Sequence, residues 1–177
     1  PALLRPLALS FLTSHVRDPQ EHVRIEAYTT LAELGLSDIQ AVLEDGLLDS
    51  SVLVRARAAD AIGKAGLAGK SGPLRRALSD ATPPVRIAVM NALSEANVTD
   101  IMPYLIDVAR RDDGPEGVFA SAALYRLGKQ DMLTDITGAA TLPEPDVRMA
   151  ALGVLGRLKR PSSLSVLSQG VYDPEPS

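Results

Sequence analysis

The chain of 177 residues contains no cysteine and no tryptophan, and aromatic residues make up only 3% of it. The lack of cysteine excludes disulfides and thiolate chemistry, and it leaves the compartment open. The two histidines, His15 and His22, flank a predicted turn, and we expect them to be solvated rather than to bind a metal. No uninterrupted apolar run approaches the length that is needed to cross a bilayer.

The charge balance argues against one class of partner. Acidic residues outnumber basic ones by 22 to 18, which gives a formal charge of −4 and a pI near 5.2. A chain of net negative charge has no overall attraction to a phosphate backbone, so nucleic-acid binding is disfavoured. Hydrophobic residues make up 46% of the chain, and Leu, Ala and Val dominate among them. This composition suits thin layers of closely packed helices.

A Val-Arg pair recurs along the sequence with a spacing of 31 residues. The positions four, eight and eleven residues after each Val are apolar in every copy. Such offsets lie on one face of an α-helix, and a period in this range is typical of a solenoid of stacked helical units. The pair occurs at Val23-Arg24, Val54-Arg55, Val85-Arg86 and Val147-Arg148, and the remaining position in register holds Glu116-Gly117.

Each period is predicted to hold two helices, so that residues 1–177 form a single array. Because the partial repeats match pieces of complete ones, we expect the native array to continue in both directions or to be flanked by capping segments. The repeats span 6–35, 37–66, 68–97, 99–128 and 130–159, with partial repeats at 1–5 and 161–177. The first helices are predicted at Pro6–Arg17, Ser37–Leu48, Ala68–Ser79, Thr99–Arg110, Gln130–Ala140 and Pro161–Val171. The second helices are predicted at Pro19–Leu34, Ser51–Ala65, Pro83–Ala96, Pro115–Leu127 and Pro145–Leu158.

The repeated motif is Asp-x4-Val-Arg-x2-Ala-x3-Leu-x2-(Leu/Ala)-Gly, and it is almost complete at Asp18–Gly35 and Asp49–Gly66. This motif resembles the HEAT-repeat family in its short form, the phycobilisome-lyase-like HEAT repeats. The resemblance implies an all-α fold, a right-handed α-solenoid or superhelix of stacked antiparallel helix pairs.

The resemblance also implies a ladder of polar contacts along the stack, between the Asp of each turn and the Arg of the second helix. An arginine offers five donors in a planar fork and can satisfy turn carbonyls and a carboxylate together. The ladder residues in this sequence would be Asp18, Arg24, Asp49, Arg55, Asp80, Arg86 and Arg148.

The fourth repeat departs from the pattern, since Arg111 takes the Asp position and Gly117 takes the Arg position. We expect the ladder to be interrupted there, with a local irregularity such as a longer loop or a changed stacking angle. A glycine inside a helix costs roughly 1 kcal/mol relative to alanine. Drift of a single repeat accounts for these changes, and a hinge or docking feature is the alternative.

The resemblance implies that the second helices line the concave face, where a partner would bind. Residues at offset 2 from each Val are apolar and are predicted to face a neighbouring repeat, whereas offsets 3, 6 and 10 are predicted to face outward. Aromatic residues and arginine are typical of interface hot spots. We therefore hypothesise that a protein or peptide docks over this face, unless Phe119 only fills space and the arginines are solvated. The partner-binding residues would be Arg57, Lys64, Phe119, Tyr125, Arg126 and Arg157.

The sequence offers little support for catalysis. Gly69-Lys70-Ser71 resembles the end of a phosphate-binding loop, but Lys64 stands where that motif needs glycine. The helical-repeat enzyme deoxyhypusine hydroxylase needs His-Glu pairs after the helix arginine, and none is present. We predict a non-catalytic protein-interaction scaffold that is part of a longer protein or an assembly and has no cofactor or metal. The alternative is a phycobilin-lyase-type subunit that handles a chromophore, which an absorbance change on mixing with bilin would reveal.

Overall fold

The computed structural model describes residues 4–34 and 39–158 of the chain. The regular elements in these ranges are α-helices and short 3-10 turns, and no strand occurs among them. The prediction of an all-α protein is therefore confirmed for the described residues. Contacts within the chain divide it into two compact units, Pro1–Asn97 and Val98–Ser177.

Among the described residues, six α-helices lie in the first unit and four in the second. Those of the first unit are α1 (Leu4–His15), α2 (Glu21–Leu34), α3 (Gln40–Asp45), α4 (Val52–Lys64), α5 (Gly72–Arg76) and α6 (Pro83–Glu95). Those of the second unit are α7 (Met102–Arg111), α8 (Pro115–Arg126), α9 (Met132–Ala139) and α10 (Pro145–Leu158). The 3-10 turns are Gly46–Leu48, Ala68–Lys70, Ala77–Ser79 and Thr99–Ile101.

The second helix of each repeat begins and ends within two residues of its predicted bounds, because its end signals are local. The side chain of Ser51 caps α4 by accepting hydrogen bonds from the backbone N–H groups of Leu53 and Val54. After α4, Gly66 has a φ of 71°, and after α6, Asn97 has a φ of 55°. A left-handed residue directly after a helix satisfies its last carbonyls, and glycine and asparagine adopt that conformation at the lowest cost.

The first helices of the third, fourth and fifth repeats are shorter than predicted. The predicted helix Ala68–Ser79 is a 3-10 turn, the five-residue α5 and a second 3-10 turn. Ser71 is extended, and its hydroxyl accepts a hydrogen bond of 3.0 Å from the N–H of Leu74, so a new helix begins there. Proline follows at Pro73, near the first helical position, where its missing N–H costs little. Apolar periodicity alone does not register such interruptions.

The N-terminal helix differs from its prediction in another way. Because α1 begins at Leu4 rather than Pro6, residues 4 and 5 belong to it and do not form the tail of an earlier helix. Residues 1–3 of that partial repeat, the partial repeat 161–177 and the predicted helix Pro161–Val171 lie outside the described residues, as does Gly35.

In the first unit, α4 packs against both α2 and α6. The Val position of the repeat is fully buried at Val54 and Val85, and so is the position eight residues later at Ile62 and Leu93. Burial of a side chain of this size contributes about 1.5–3 kcal/mol. The helix-face prediction for these two offsets is therefore confirmed in α4 and α6, whereas Val23 of α2 is only half-buried.

In the second unit, α8 packs against α7, α9 and α10. Its core cluster includes Val118 and Tyr125 of α8, Ile136 of α9, and Val154 and Leu155 of α10. At offset 2, where all residues are apolar, Val118 is buried but Met149 is 71% exposed. The prediction that every residue of this row faces a neighbouring repeat is therefore wrong for Met149, because an apolar side chain at a helix surface needs no partner.

Among the described residues, no helix combines the length and the apolar character that crossing a bilayer requires. That finding agrees with the absence of a long apolar run in the sequence.

Candidate functional site

The first unit contains two arginine–aspartate pairs that repeat with the sequence period. Arg24 donates from Nε and Nη2 to the two carboxylate oxygens of Asp49, at 2.8 and 2.9 Å. Arg55 makes the same two bonds to Asp80, at 2.8 and 3.2 Å. In both pairs the aspartate comes 25 residues after the arginine, in the turn of the following repeat. Each pair therefore ties one helix pair to the next.

The same arginines also bind the turn of their own repeat. Nη1 of Arg24 donates to the carbonyl oxygen of Asp18, and Nη1 of Arg55 donates to that of Asp49, both at 2.8 Å. Each aspartate in addition accepts the backbone N–H two residues ahead, as Asp49 does from Ser51 at 2.8 Å. One guanidinium thus fixes two successive turns, which a lysine with its single ammonium could not do.

The environment of these pairs favours the ionised carboxylate. The side chains of Arg55 and Asp80 are only 15% and 12% exposed. Burial by itself would raise the pKa of Asp80, but hydrogen bonds from Arg55 and Thr82 and the charge of Arg55 outweigh it and lower that pKa to about 2. The pKa of Asp49 is lowered in the same way, because hydrogen bonds from Arg24 and Ser51 oppose the effect of burial.

The two remaining ladder arginines keep the contact to their own turn. Nη1 of Arg86 donates to the carbonyl oxygen of Asp80 at 2.7 Å. Nη1 of Arg148 donates to the carbonyl oxygens of Leu142 and Pro143, at 2.8 and 2.6 Å. Leu142 therefore occupies the Asp position of the fifth repeat, and it contributes only its backbone carbonyl oxygen to the contact with Arg148.

The fourth repeat builds its turn differently. The carboxylate of Asp112, one residue after the expected position, accepts the backbone N–H of Gly114 at 2.8 Å. A Cβ atom at Gly117 would overlap the backbone carbonyl oxygen of Asp112. Gly117 is therefore required by a close backbone approach, which drift of the repeat does not explain. Arg111 is the last residue of α7 and lies 3.4 Å from the carboxylate of Asp107.

A cavity of about 500 Å³ lies in the second unit beside this irregular turn. Its floor is formed by apolar side chains of α8, α9 and α10, among them Val118, Ile136 and Val147. Gly117, at the Arg position, and Leu142, at the following Asp position, both line it. The carboxylate-bearing residues around it are Asp112, Asp113, Asp135 and Glu144. The sequence indicated an irregularity here but not a cavity, because a cavity depends on how three helices pack.

The predicted partner-binding residues of the second unit separate into two groups. The guanidinium carbon of Arg157 lies 5.4 Å from the ring centroid of Phe119, a cation–π distance. Phe119 is half-buried and packs against the core cluster, Arg126 is half-buried, and Arg157 is exposed. Tyr125 is instead only 6% exposed and belongs to the core cluster itself. It does not offer its ring to a partner, because it lies on the helix face that α9 and α10 cover.

The first unit carries the other two predicted residues. Arg57 is half-buried and lies 3.6 Å from the carboxylate of Asp60, which offsets part of its charge. Lys64 is exposed in the last turn of α4. Two other positions at the offsets that were predicted to face outward, Ala88 at offset 3 and Ala122 at offset 6, are buried. Alanine at these positions allows neighbouring helices to approach closely.

In the part of the chain that the structure describes, no three carboxylate or histidine groups converge closely enough to hold a metal ion. This includes the four carboxylates around the cavity of the second unit. No family model matches the chain, and no curated protein matches it significantly.

Proposed function

We propose that the chain is a segment of a right-handed, HEAT-like helical-repeat scaffold that binds a protein partner and has no catalytic role. The sequence period and the recurring arginine–aspartate pairs support this architecture. Arg24–Asp49 and Arg55–Asp80 repeat the same bidentate geometry one period apart, which is how a stack of equivalent units is held in register.

The observation that carries the binding role is the contact between Phe119 and Arg157. An aromatic ring with a guanidinium over it is the composition of an interface hot spot. Phe119 packs on the core cluster and also lies at a cation–π distance from Arg157. Because packing on the core cluster already restricts Phe119, its side chain loses little conformational freedom when a partner docks on it.

The binding surface is therefore assigned to Phe119, Arg126 and Arg157, and the buried Tyr125 serves as support beneath it. A partner that suits this surface presents an apolar side chain for the ring and an acceptor or carboxylate for the exposed guanidinium of Arg157. Arg57 and Lys64 belong to the first unit and are not part of this surface.

The experiment compares affinity capture from a cell extract by the wild-type chain, Phe119→Ala and Arg157→Ala. Loss of a hot-spot side chain costs about 2 kcal/mol or more, so each variant should reduce the retention of a specific protein at least ~10-fold. Glu33→Ala, an exposed change in the first unit, is the matched control and should retain it. Circular dichroism establishes that each variant is folded.

A captured protein is then purified, and its dissociation constant is measured for each variant. If both variants bind every captured protein as tightly as the control does, the surface is wrongly assigned. If no protein is retained specifically by the wild type, the scaffold role itself fails.

A further inference from the structure

The cavity of the second unit occupies the place that a ladder arginine fills elsewhere in the chain. In the first unit, the guanidinium of Arg55 lies between its own turn and the carboxylate of Asp80. The corresponding positions in the second unit hold Gly117 in place of the arginine and Leu142 in place of the aspartate. Neither the guanidinium nor the carboxylate of a ladder pair is therefore present there. Both residues line the cavity. An internal arginine has therefore been replaced by an open space of about 500 Å³.

The residues around this space select a cation. Asp112, Asp113, Asp135 and Glu144 line the cavity, and none of its described lining residues is lysine or arginine. A concave surface whose charges have one sign focuses the potential and attracts the opposite charge. Because these carboxylates do not converge on one point, they suit a cation of spread-out charge rather than a metal ion.

Ser121 gives an independent indication of a ligand. Its side chain lines the cavity and is only 7% exposed, and its hydroxyl has no hydrogen-bond partner among the described residues. The equivalent positions of the earlier repeats hold the buried residues Tyr28, Ala59 and Met90. A buried hydroxyl without a partner is costly, so a donor from outside the chain would satisfy it.

We propose that this cavity binds an arginine side chain of a partner polypeptide, in place of the arginine that the fourth repeat lacks. The guanidinium would donate to Ser121 and to the carboxylates of Asp113 and Glu144. Its aliphatic stem would lie along Val118 and Ile136. Arginine fits better than lysine, because its planar fork reaches several acceptors at once while its stem covers apolar surface.

The volume is within the range of about 300–1,000 Å³ that is typical of ligand pockets. It therefore holds the side chain together with some flanking backbone. The cavity is defined by residues other than Phe119 and Arg157, so arginine binding does not depend on the surface assigned above.

The test is an NMR titration of the ¹⁵N-labelled chain of 177 residues with Nα-acetyl-arginine methylamide. We expect saturable shifts of the amide signals of Gly114, Gly117 and Ser121, with a millimolar dissociation constant. Nα-acetyl-citrulline methylamide has nearly the same shape without the charge and should bind at least ~10-fold more weakly. Nα-acetyl-lysine methylamide should bind several-fold more weakly than the arginine probe.

Two variants test the acceptors directly. The double variant Asp113→Asn with Glu144→Gln and the single variant Ser121→Ala should each weaken binding of the arginine probe at least ~3-fold. Asp131→Asn changes an exposed acid of the same unit that does not line this cavity, and it should leave the affinity unchanged. Asp112 is left intact in these variants because its carboxylate holds the turn at Gly114.

Equal binding of the arginine and citrulline probes would overturn the proposal, as would shifts that miss this cavity or resist both variants. Free arginine distinguishes a polypeptide from an amino acid as the source of the side chain. If free arginine bound ~10-fold more tightly than the blocked probe, a polypeptide would be the wrong ligand. Since no partner protein is added, this outcome is separate from that of the capture experiment.

Discussion

The substitution Asp80→Asn isolates the charge of one ladder carboxylate, because asparagine has nearly the same shape. Its side-chain oxygen can still accept the backbone N–H of Thr82, which lies 2.9 Å from Asp80, and one donor of Arg55. The lost quantity is therefore the preference of this site for a negative charge. The pKa of Asp80 is lowered from 3.8 to about 2, because the hydrogen bonds and charge around it outweigh the effect of burial.

That change in pKa corresponds to about 2 kcal/mol of folding free energy. Since the folded pKa is the lower one, this stabilisation is present above the unfolded pKa of 3.8 and is lost as the pH falls through about 2. Urea unfolding followed by far-UV circular dichroism measures it. We expect Asp80→Asn to cost about 2 kcal/mol near neutral pH, and we expect its difference from the wild type to shrink as the pH falls below 3.8 and to vanish below about pH 2.

Asp131→Asn is the matched control, since Asp131 is exposed and its side chain makes no cap to α9. It should change the unfolding free energy by less than about 0.5 kcal/mol at every pH. Two results would refute the reasoning. One is a cost of Asp80→Asn below about 0.5 kcal/mol near neutral pH. The other is a cost that stays constant down to pH 2, which would assign the effect to packing rather than to charge.

Three further predictions concern single positions elsewhere in the chain. Gly117→Ala should lower the unfolding free energy by about 1–3 kcal/mol, because the added Cβ would overlap the backbone carbonyl of Asp112. This loss outweighs the better helix propensity of alanine. An increase in stability would show that the close approach of the Asp112 carbonyl to Gly117 does not require glycine. Val54→Asp places an unpaired carboxylate at a fully buried position and should lower the unfolding free energy by several kcal/mol. Glu33→Ala, at an exposed position, should lower it by less than about 0.5 kcal/mol. If thermal melts showed the larger loss for Glu33→Ala, the assignment of the helix faces would be contradicted. Burial and the nearby carboxylates raise the pKa of Tyr28 to about 12. Urea unfolding should therefore show that the wild type loses stability between pH 10 and 12, because the tyrosine ionises first in the unfolded chain, and that Tyr28→Phe does not. An equal change of the unfolding free energy with pH in the two proteins would contradict this prediction.

Much of the fold could be predicted because each repeat places apolar residues at the same helix-face positions. Val54 and Val85 occupy one helix-face position in successive copies, and both are fully buried. The second helices end where Gly66 and Asn97 adopt positive φ, which residue type alone indicates. The first helices were less predictable, because a single capping serine at Ser71 interrupts a helix without changing its apolar pattern.

The candidate sites were predicted in part. The sequence placed Phe119 and Arg157 on related helix positions, and their side chains are in contact. It also placed Tyr125 beside them, but offset 9 of α8 turns toward the core cluster. Residue type indicates that tyrosine is suited to an interface, yet only the position of α9 and α10 determines whether its ring is reachable.

The sequence by itself determined the all-α class and the buried helix-face positions of Val54 and Val85, since these depend on spacing along one chain. The ladder residues were expected from the resemblance of the motif to a repeat family and from the donors that arginine offers. The tertiary structure alone decided which positions are open. Whether Gly117 is drift or a requirement depends on the carbonyl of Asp112 beside it. Whether the side chain of Ser121 is exposed to solvent or buried beside a cavity depends on how α9 and α10 pack over α8. Burial is a property of neighbours in space, and periodicity describes only neighbours along a helix.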